Sequence, residues 1–260
     1  MPYETILVAQ RDSVTHITLN RPLAMNAVTQ RMHDELQAAF DVFAGDAAQR
    51  ICVLQGAGER AFCAGSDLKE IAAIGSATYP KNGYAGLIER FDLYKPVIAA
   101  VRGVCLGGGF EIALACDLII ATEDSSFGLP EPLIGSMAVG GGVHRLVRQI
   151  GMKRAMGYIL SSARISAAEA YAAGLLNEVT APEALDESVA RWCAKILRGA
   201  PLALSASKEA AMRGLAAPSL EAAIKGQSES AVYRTWRNSE DTKEGARAFA
   251  EKRPPVWRGQ

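Results

Sequence analysis

Between Ile51 and about Met152, short apolar runs that read as buried strands alternate with helical segments; beyond Met152 the strand signal nearly vanishes. That switch confines the chain to an α/β core followed by a helical tail. Ile51–Leu54, Val97–Val101 and Asp117–Ala121 read as strands, separated by Gly- and Pro-containing turns. Ahead of them, Glu4–Ala9 and Val14–Leu19 are strand-like runs split by Arg11-Asp12-Ser13, a hairpin signal. Thr29–Phe43 places Met32, Leu36, Phe40 and Phe43 on one helical face, with Thr29 positioned as its cap. In the tail, Ala155–Leu160, Ala167–Leu175, Leu185–Leu197, Leu202–Arg213, Leu220–Thr235 and Thr242–Lys252 read as helices, broken by Gly174, Gly199-Ala200-Pro201 and Pro218. The tail is expected to pack on a neighbour or at a subunit interface.

A chain of 260 residues serves one large domain, or one domain with a small appendage. Lys plus Arg equals Asp plus Glu at 28 each, which argues against a dedicated nucleic-acid binder but leaves room for a local basic patch. The five cysteines (Cys52, Cys63, Cys105, Cys116 and Cys193) form no CxxC pair and have no nearby His, so they read as small buried residues and no metal site is expected. Met1 to Gln10 is polar and strand-like, with no signal-peptide character, and no apolar run approaches the roughly 20 residues of a membrane helix. A cytoplasmic enzyme is the expectation.

Three segments hold the chemical signal. In Ala61-Phe62-Cys63-Ala64-Gly65-Ser66-Asp67-Leu68-Lys69-Glu70, small residues follow a strand and precede a helix start. Such a turn points backbone N–H groups into the open, where they can bind an anion. In Arg102-Gly103-Val104-Cys105-Leu106-Gly107-Gly108-Gly109-Phe110-Glu111, three glycines open a helix and let a ligand touch bare backbone. This is no P-loop, because no Gly-Lys-Ser/Thr follows, and the glycines lack dinucleotide spacing. The third segment, Phe127-Gly128-Leu129-Pro130-Glu131, leads to Gly135 and Gly140-Gly141-Gly142. Alone, Glu111 is a first-turn helix residue favoured by the macrodipole, and Glu131 a solvated turn residue. Together with two anion-receptive turns they fit one job, chemistry beside a thioester carbonyl. Adding a nucleophile at C3, or removing a proton at C2, puts charge on the carbonyl oxygen, and two fixed N–H donors stabilise it by on the order of 3 kcal/mol each. Two carboxylates with pKa values pushed apart can divide the proton transfers.

These segments resemble the enoyl-CoA hydratase/isomerase (crotonase) family, and the resemblance runs from Leu19-Asn20-Arg21-Pro22 to Phe249-Ala250-Glu251-Lys252-Arg253. It implies an α/β fold, a crotonase-type spiral of ββα units with a C-terminal helical subdomain. We take residues 1–200 as the spiral core and 201–260 as a helical oligomerisation subdomain. It also implies trimers, often paired into hexamers, and a coenzyme-A thioester substrate. No separate cofactor is expected, coenzyme A being part of the substrate. By the resemblance, the backbone N–H groups of Ser66 and Gly108 are the oxyanion donors. Glu111 and Glu131 hold the water between them, Glu131 handling the C2 proton and Glu111 assisting attack at C3. Ala64, Gly65, Asp67, Leu68 and Lys69 match the stretch that lines the cofactor's nucleotide end, and Phe249 and Lys252 match C-terminal residues that reach coenzyme A.

Having both glutamates favours hydration, since many isomerase, hydrolase or decarboxylase relatives lack one or both. Three departures stand out: Leu23 where a Lys often follows Arg-Pro, Ser66 where Ala is commoner, and Ala138-Val139 where Pro-Gly or Pro-Asp is frequent. Gly83-Tyr84-Ala85-Gly86-Leu87, Gly109-Phe110-Glu111 and the ending from Ala248 to Trp257 resemble the crotonobetainyl-CoA hydratase (carnitinyl-CoA dehydratase) branch. The leading expectation is a reversible 2-enoyl-CoA hydratase, a hydro-lyase. The alternatives are that branch's substrate, or isomerisation or C–C cleavage with the same oxyanion hole. An RNA-binding homologue is disfavoured by the charge balance.

Overall fold

The computed structural model describes residues 3–75 and 78–260. Strands β1 (Ile6–Arg11) and β2 (Val14–Leu19) pair antiparallel through the turn at Asp12-Ser13, both of which take positive φ. Helix α1 (Gln30–Gly45) follows, its Met32 N–H donating to the Thr29 hydroxyl at 3.2 Å as the cap requires. It buries Met32, Leu36, Ala39, Phe40 and Phe43.

Three strand pairs then repeat. Strands β3 (Ile51–Gly56) and β4 (Ala61–Cys63) are followed by α2 (Leu68–Ile74), and β5 (Val97–Val101) and β6 (Val104–Leu106) by α3 (Gly108–Ala115). Next come β7 (Leu118–Thr122) and β8 (Ser126–Gly128), ending in a 3-10 turn at Glu131–Ile134. Each pair sends its first strand to one sheet and its second to another. Downstream lie α4 (Gly142–Ile150), α5 (Met152–Ser161), β9 (Ile165–Ser166), α6 (Ala167–Ala172), β10 (Glu178–Thr180) and α7 (Leu185–Leu197). The larger sheet has the order β1-β2-β3-β5-β7-β10 and is parallel from β2 onward; the smaller, β4-β6-β8-β9, is parallel except at β9. All five residues of β5 are buried, as befits a strand covered on both faces. Because β4, β6 and β8 run in parallel and end together, the turns after them emerge side by side, and these turns are the three motif-bearing segments.

By contact density the chain forms two compact units. One comprises the residues up to Arg90 together with Val97–Arg191, and holds both sheets. The other comprises Phe91–Pro96 and Trp192–Gln260, so the division falls inside α7. It contains α8 (Pro201–Ala216), α9 (Leu220–Gly226), α10 (Ala231–Arg237) and α11 (Glu240–Ala250). The single helix expected over Leu220–Thr235 is two. Ser230 has extended backbone, accepts the Val232 and Tyr233 N–H groups at 3.1 and 3.3 Å as the cap of α10, and donates its hydroxyl to the buried Glu209. A serine so engaged stops one helix and starts the next. Among the described residues, no helix is long and apolar enough to cross a membrane.

Candidate active site

The first turn is held by an isolated parallel bridge between Val28 and Ser66. Its bonds run from Val28 N–H to Gly65 O at 2.8 Å and from Asp67 N–H to Val28 O at 2.9 Å. The Ser66 N–H takes no part in either, so it is left pointing away from the bridge. Gly65 sits at φ +95°, a conformation that side chains disfavour, and a Cβ there would stand 3.1 Å from Leu106 O and 3.2 Å from Gly108 N. The first glycine turn therefore lies directly against the second. Gly108 opens α3, so its N–H is among those with no acceptor inside the helix. The structure thus brings together the amides of Ser66 and Gly108, two turns that the sequence separates by about forty residues.

Glu111 stands in the first turn of α3 and is only 2% exposed. Its Oε1 accepts the Gly142 N–H at 2.8 Å, joining α3 to the glycine run that starts α4. Burial pushes its carboxyl up to about 7; the Gly142 N–H opposes the rise, and the nearby negative charge of Glu131 adds to it. Glu131 is carried by the turn after β8, and its Oε1 lies 3.1 Å from where a Cβ on Gly107 would be. Burial also raises the Glu131 carboxyl, and its Oε2 is buried without a hydrogen-bond partner among the described residues. An orphaned carboxylate oxygen is costly, which marks it as a group held ready for a proton or a water. Glu131 thus reaches Gly107, Glu111 stands in the helix turn that Gly108 opens, and both carboxyls are raised, the electrostatic signature of acid/base work.

The remaining expected residues divide. Asp67 caps α2, accepting from the Lys69 and Glu70 N–H groups at 3.1 and 3.3 Å, and pairs with Arg21 at 2.9 Å. Burial alone would raise its carboxyl, but the Arg21 hydrogen bond and the amides hold it below the usual range. Its carboxylate is thus engaged within the turn. Ala64, whose N–H donates to Met25 O at 3.0 Å, is half-buried, whereas Leu68 and Lys69 are exposed at the start of α2. Phe249 lies on α11 and Lys252 just beyond it, in the second unit; both are exposed.

Sequence reasoning missed three neighbours of the site. Arg145 on α4 is half-buried, donates to Ile88 O at 2.5 Å, and presents charge to Glu111. Tyr84 is 2% exposed, shares a hydrogen bond with the Ser66 hydroxyl at 3.0 Å, and packs against Gly108. His33 on α1 stacks edge-on against Tyr84 with ring centroids 4.5 Å apart. Arg145 and His33 belong to no glycine-rich turn, and only the place of Tyr84 beside Gly83 and Gly86 offered any signal.

The enoyl-CoA hydratase/isomerase family matches residues 9–260. The chain belongs to this family. Carnitinyl-CoA dehydratase of Proteus mirabilis is 39% identical over 261 residues, covering 99% of each chain. (E)-benzylidenesuccinyl-CoA hydratase of Thauera aromatica is 39% identical over 249 residues, covering 95% of this chain and 96% of the relative. Among solved structures, the enoyl-CoA hydratase of Mycobacterium tuberculosis superposes with a TM-score of 0.92 at 39% identity, over 98% of this chain and 99% of that one. An enoyl-CoA hydratase from Mycobacterium marinum gives 0.92 at 40% over the same shares. The resemblance read from the motifs is borne out, and the repeated strand pairs in two sheets are this family's α/β fold.

Proposed function

We propose that this member of the enoyl-CoA hydratase/isomerase family is a hydro-lyase that reversibly adds water across the C2=C3 bond of a 2-enoyl-CoA thioester. The observation that carries the reading is that Glu111 and Glu131, each with a carboxyl raised by burial and near enough for the charge of Glu131 to act on Glu111, stand on the turns beside the Ser66 and Gly108 amides. The Ser66 and Gly108 N–H groups receive the thioester oxygen as it gains charge. Glu111, held by Gly142, takes a proton from water as its oxygen attacks C3. Glu131, with its unpartnered Oε2, delivers the proton to C2. Glu111 with a carboxyl near 7 is a base matched to neutral pH, and burial raises the Glu131 carboxyl, which favours its protonated form. No resident cofactor is required by this scheme.

The substrate's nucleotide end is assigned to Ala64, Gly65, Asp67, Leu68 and Lys69, and by the family resemblance Phe249 and Lys252 match C-terminal residues that reach coenzyme A, in some members from an adjacent subunit. Lys69 and Lys252 supply exposed positive charge for phosphates, and Leu68 supplies apolar surface. We further propose a trimer or a pair of trimers, working in the cytoplasm. Support for assembly comes from the second unit, where Leu215, Leu220 and Phe249 are 82%, 76% and 88% exposed.

A second reading is favoured by the relatives named carnitinyl-CoA dehydratase, which match over nearly the whole chain: the same chemistry on a carnitinyl-type acyl group. A panel of 2-enoyl-CoA esters, including crotonobetainyl-CoA and an aryl-substituted enoyl-CoA, tests both readings through loss of conjugated thioester absorbance. Turnover of simple enoyl esters supports the main reading, and turnover confined to crotonobetainyl-CoA the second. No hydration of any ester refutes both.

A further inference from the structure

We propose that Tyr84 is a positioning residue for the oxyanion hole: it clamps the Ser66 turn to the Gly108 turn and so sets the spacing of their two N–H donors. The proposal rests on the reading of Ser66 and Gly108 as those donors. Tyr84 touches both turns at once. Its hydroxyl shares a hydrogen bond with the Ser66 hydroxyl at 3.0 Å, and its ring fills the space where any side chain on Gly108 would stand. A Cβ built on Gly108 would come within 2.3 Å of both the Cζ and the hydroxyl oxygen of Tyr84. Moving the ring therefore moves one turn by packing and the other by a directed bond.

The ring is fixed from behind. His33 lies edge-on to it, its plane at 84° to the tyrosine's, and Tyr79 meets it edge-on with centroids 5.7 Å apart. His33 Nδ1 accepts the Ala85 N–H at 2.9 Å, tying down the residue next to Tyr84 in its left-handed conformation at φ 56°. That bond requires an unprotonated Nδ1, and burial holds the imidazole down at about 4, so it is neutral at working pH. The phenol itself stays protonated, because burial raises it well above its ordinary value. A rigid, neutral, fully buried phenol between two amides is the geometry of a brace, since preorganised donors act only if they need not rearrange during reaction.

Tyr84→Phe keeps the ring and removes the bond; Ser66→Ala removes the same bond from the other side and leaves the Ser66 amide in place. Each variant is expected to lower kcat by about tenfold with KM little changed, the scale of one neutral hydrogen bond felt in the transition state. The double variant should fall no further than either single one, because the two residues act as one unit. The distinguishing readout is the infrared carbonyl stretch of a carbonyl-labelled enoyl-CoA bound to each protein. A polarised carbonyl in the parent enzyme that relaxes toward the free ester's frequency in Tyr84→Phe supports the brace. A polarised carbonyl unchanged in Tyr84→Phe, or additive losses in the double variant, overturns it while sparing the oxyanion hole. An unpolarised carbonyl in the parent enzyme overturns the oxyanion reading and the brace with it.

Discussion

Glu111 Oε1 accepts the Gly142 N–H at 2.8 Å, so the carboxylate on α3 is aimed by backbone that arrives from the start of α4. Gly140 crowds the other oxygen: a Cβ there would stand 2.5 Å from Glu111 Oε2. The glycine run is thus the mould of a carboxylate, and its lack of side chains leaves room for the acid group. Gly140→Ala is expected to turn Glu111 away from its place and lower kcat by roughly 100-fold, the cost of a misplacement of about an ångström. Steady-state kinetics beside a thermal melt check this. Parent-level turnover in a folded variant would show that the position of Glu111 is not set by the run.

If the two glutamates divide the proton transfers, each is needed and neither replaces the other. Glu111→Gln and Glu131→Gln keep the shape of the side chain but remove its proton exchange. Each should cut turnover by roughly 10²–10⁴-fold while a calorimetric titration with a saturated acyl-CoA still shows binding. Near-parent hydration by either variant, on the enzyme's best ester, would remove that residue from the scheme.

The raised Glu111 carboxyl yields a signed dependence on pH. As the base, Glu111 must be ionised, so kcat/KM for hydration should rise with pH through a midpoint near 7. The same shift acts on stability. In the unfolded chain this carboxyl titrates near its ordinary 4.5, in the folded one near 7. Between those values the folded state holds the extra proton, and its stability falls as pH rises. Glu111→Gln escapes the penalty, so its stability relative to the parent should grow from pH 4.5 to 7 and then level off, by up to about 3 kcal/mol. Urea melts at a series of pH values measure it. A difference between the two proteins that does not vary with pH would mean that Glu111 ionises in the fold as freely as in water.

How far the sequence discloses this arrangement depends on the length of each signal. Thr29 and the Met32, Leu36, Phe40 stripe mark α1 because an amphipathic helix of four turns repeats its pattern several times. β4, β6 and β8 leave no such trace, being three residues long, too short to show an alternation. They are nonetheless the strands that deliver Ser66, Gly108 and Glu131 to one place. The motif glycines were readable, since backbone exposed at a helix mouth demands them. Their partners were not: Tyr84, His33 and Arg145 reach the site through long-range packing that no local pattern encodes. Asp67 shows the opposite limit, a residue singled out by its motif whose carboxylate is engaged in capping α2 and pairing with Arg21.

On the second unit, Leu215, Leu220, Ile224 and Phe249 present apolar side chains to solvent from α8, α9 and α11. Burying a leucine side chain is worth about 1.5–3 kcal/mol, so leaving several bare on short helices is unfavourable unless another surface covers them. A second copy of the chain is the cover that closed symmetry supplies, and the helices then bury in the assembly what they cannot bury alone. Light scattering coupled to size exclusion should give three or six times 27.6 kDa at micromolar concentration. Leu215→Glu with Leu220→Glu should shift the mass downward and reduce activity, because a charge at a covered position is driven back to water. A parent mass near 27.6 kDa would refute the oligomer, and a fully assembled double variant would remove these two leucines from the interface.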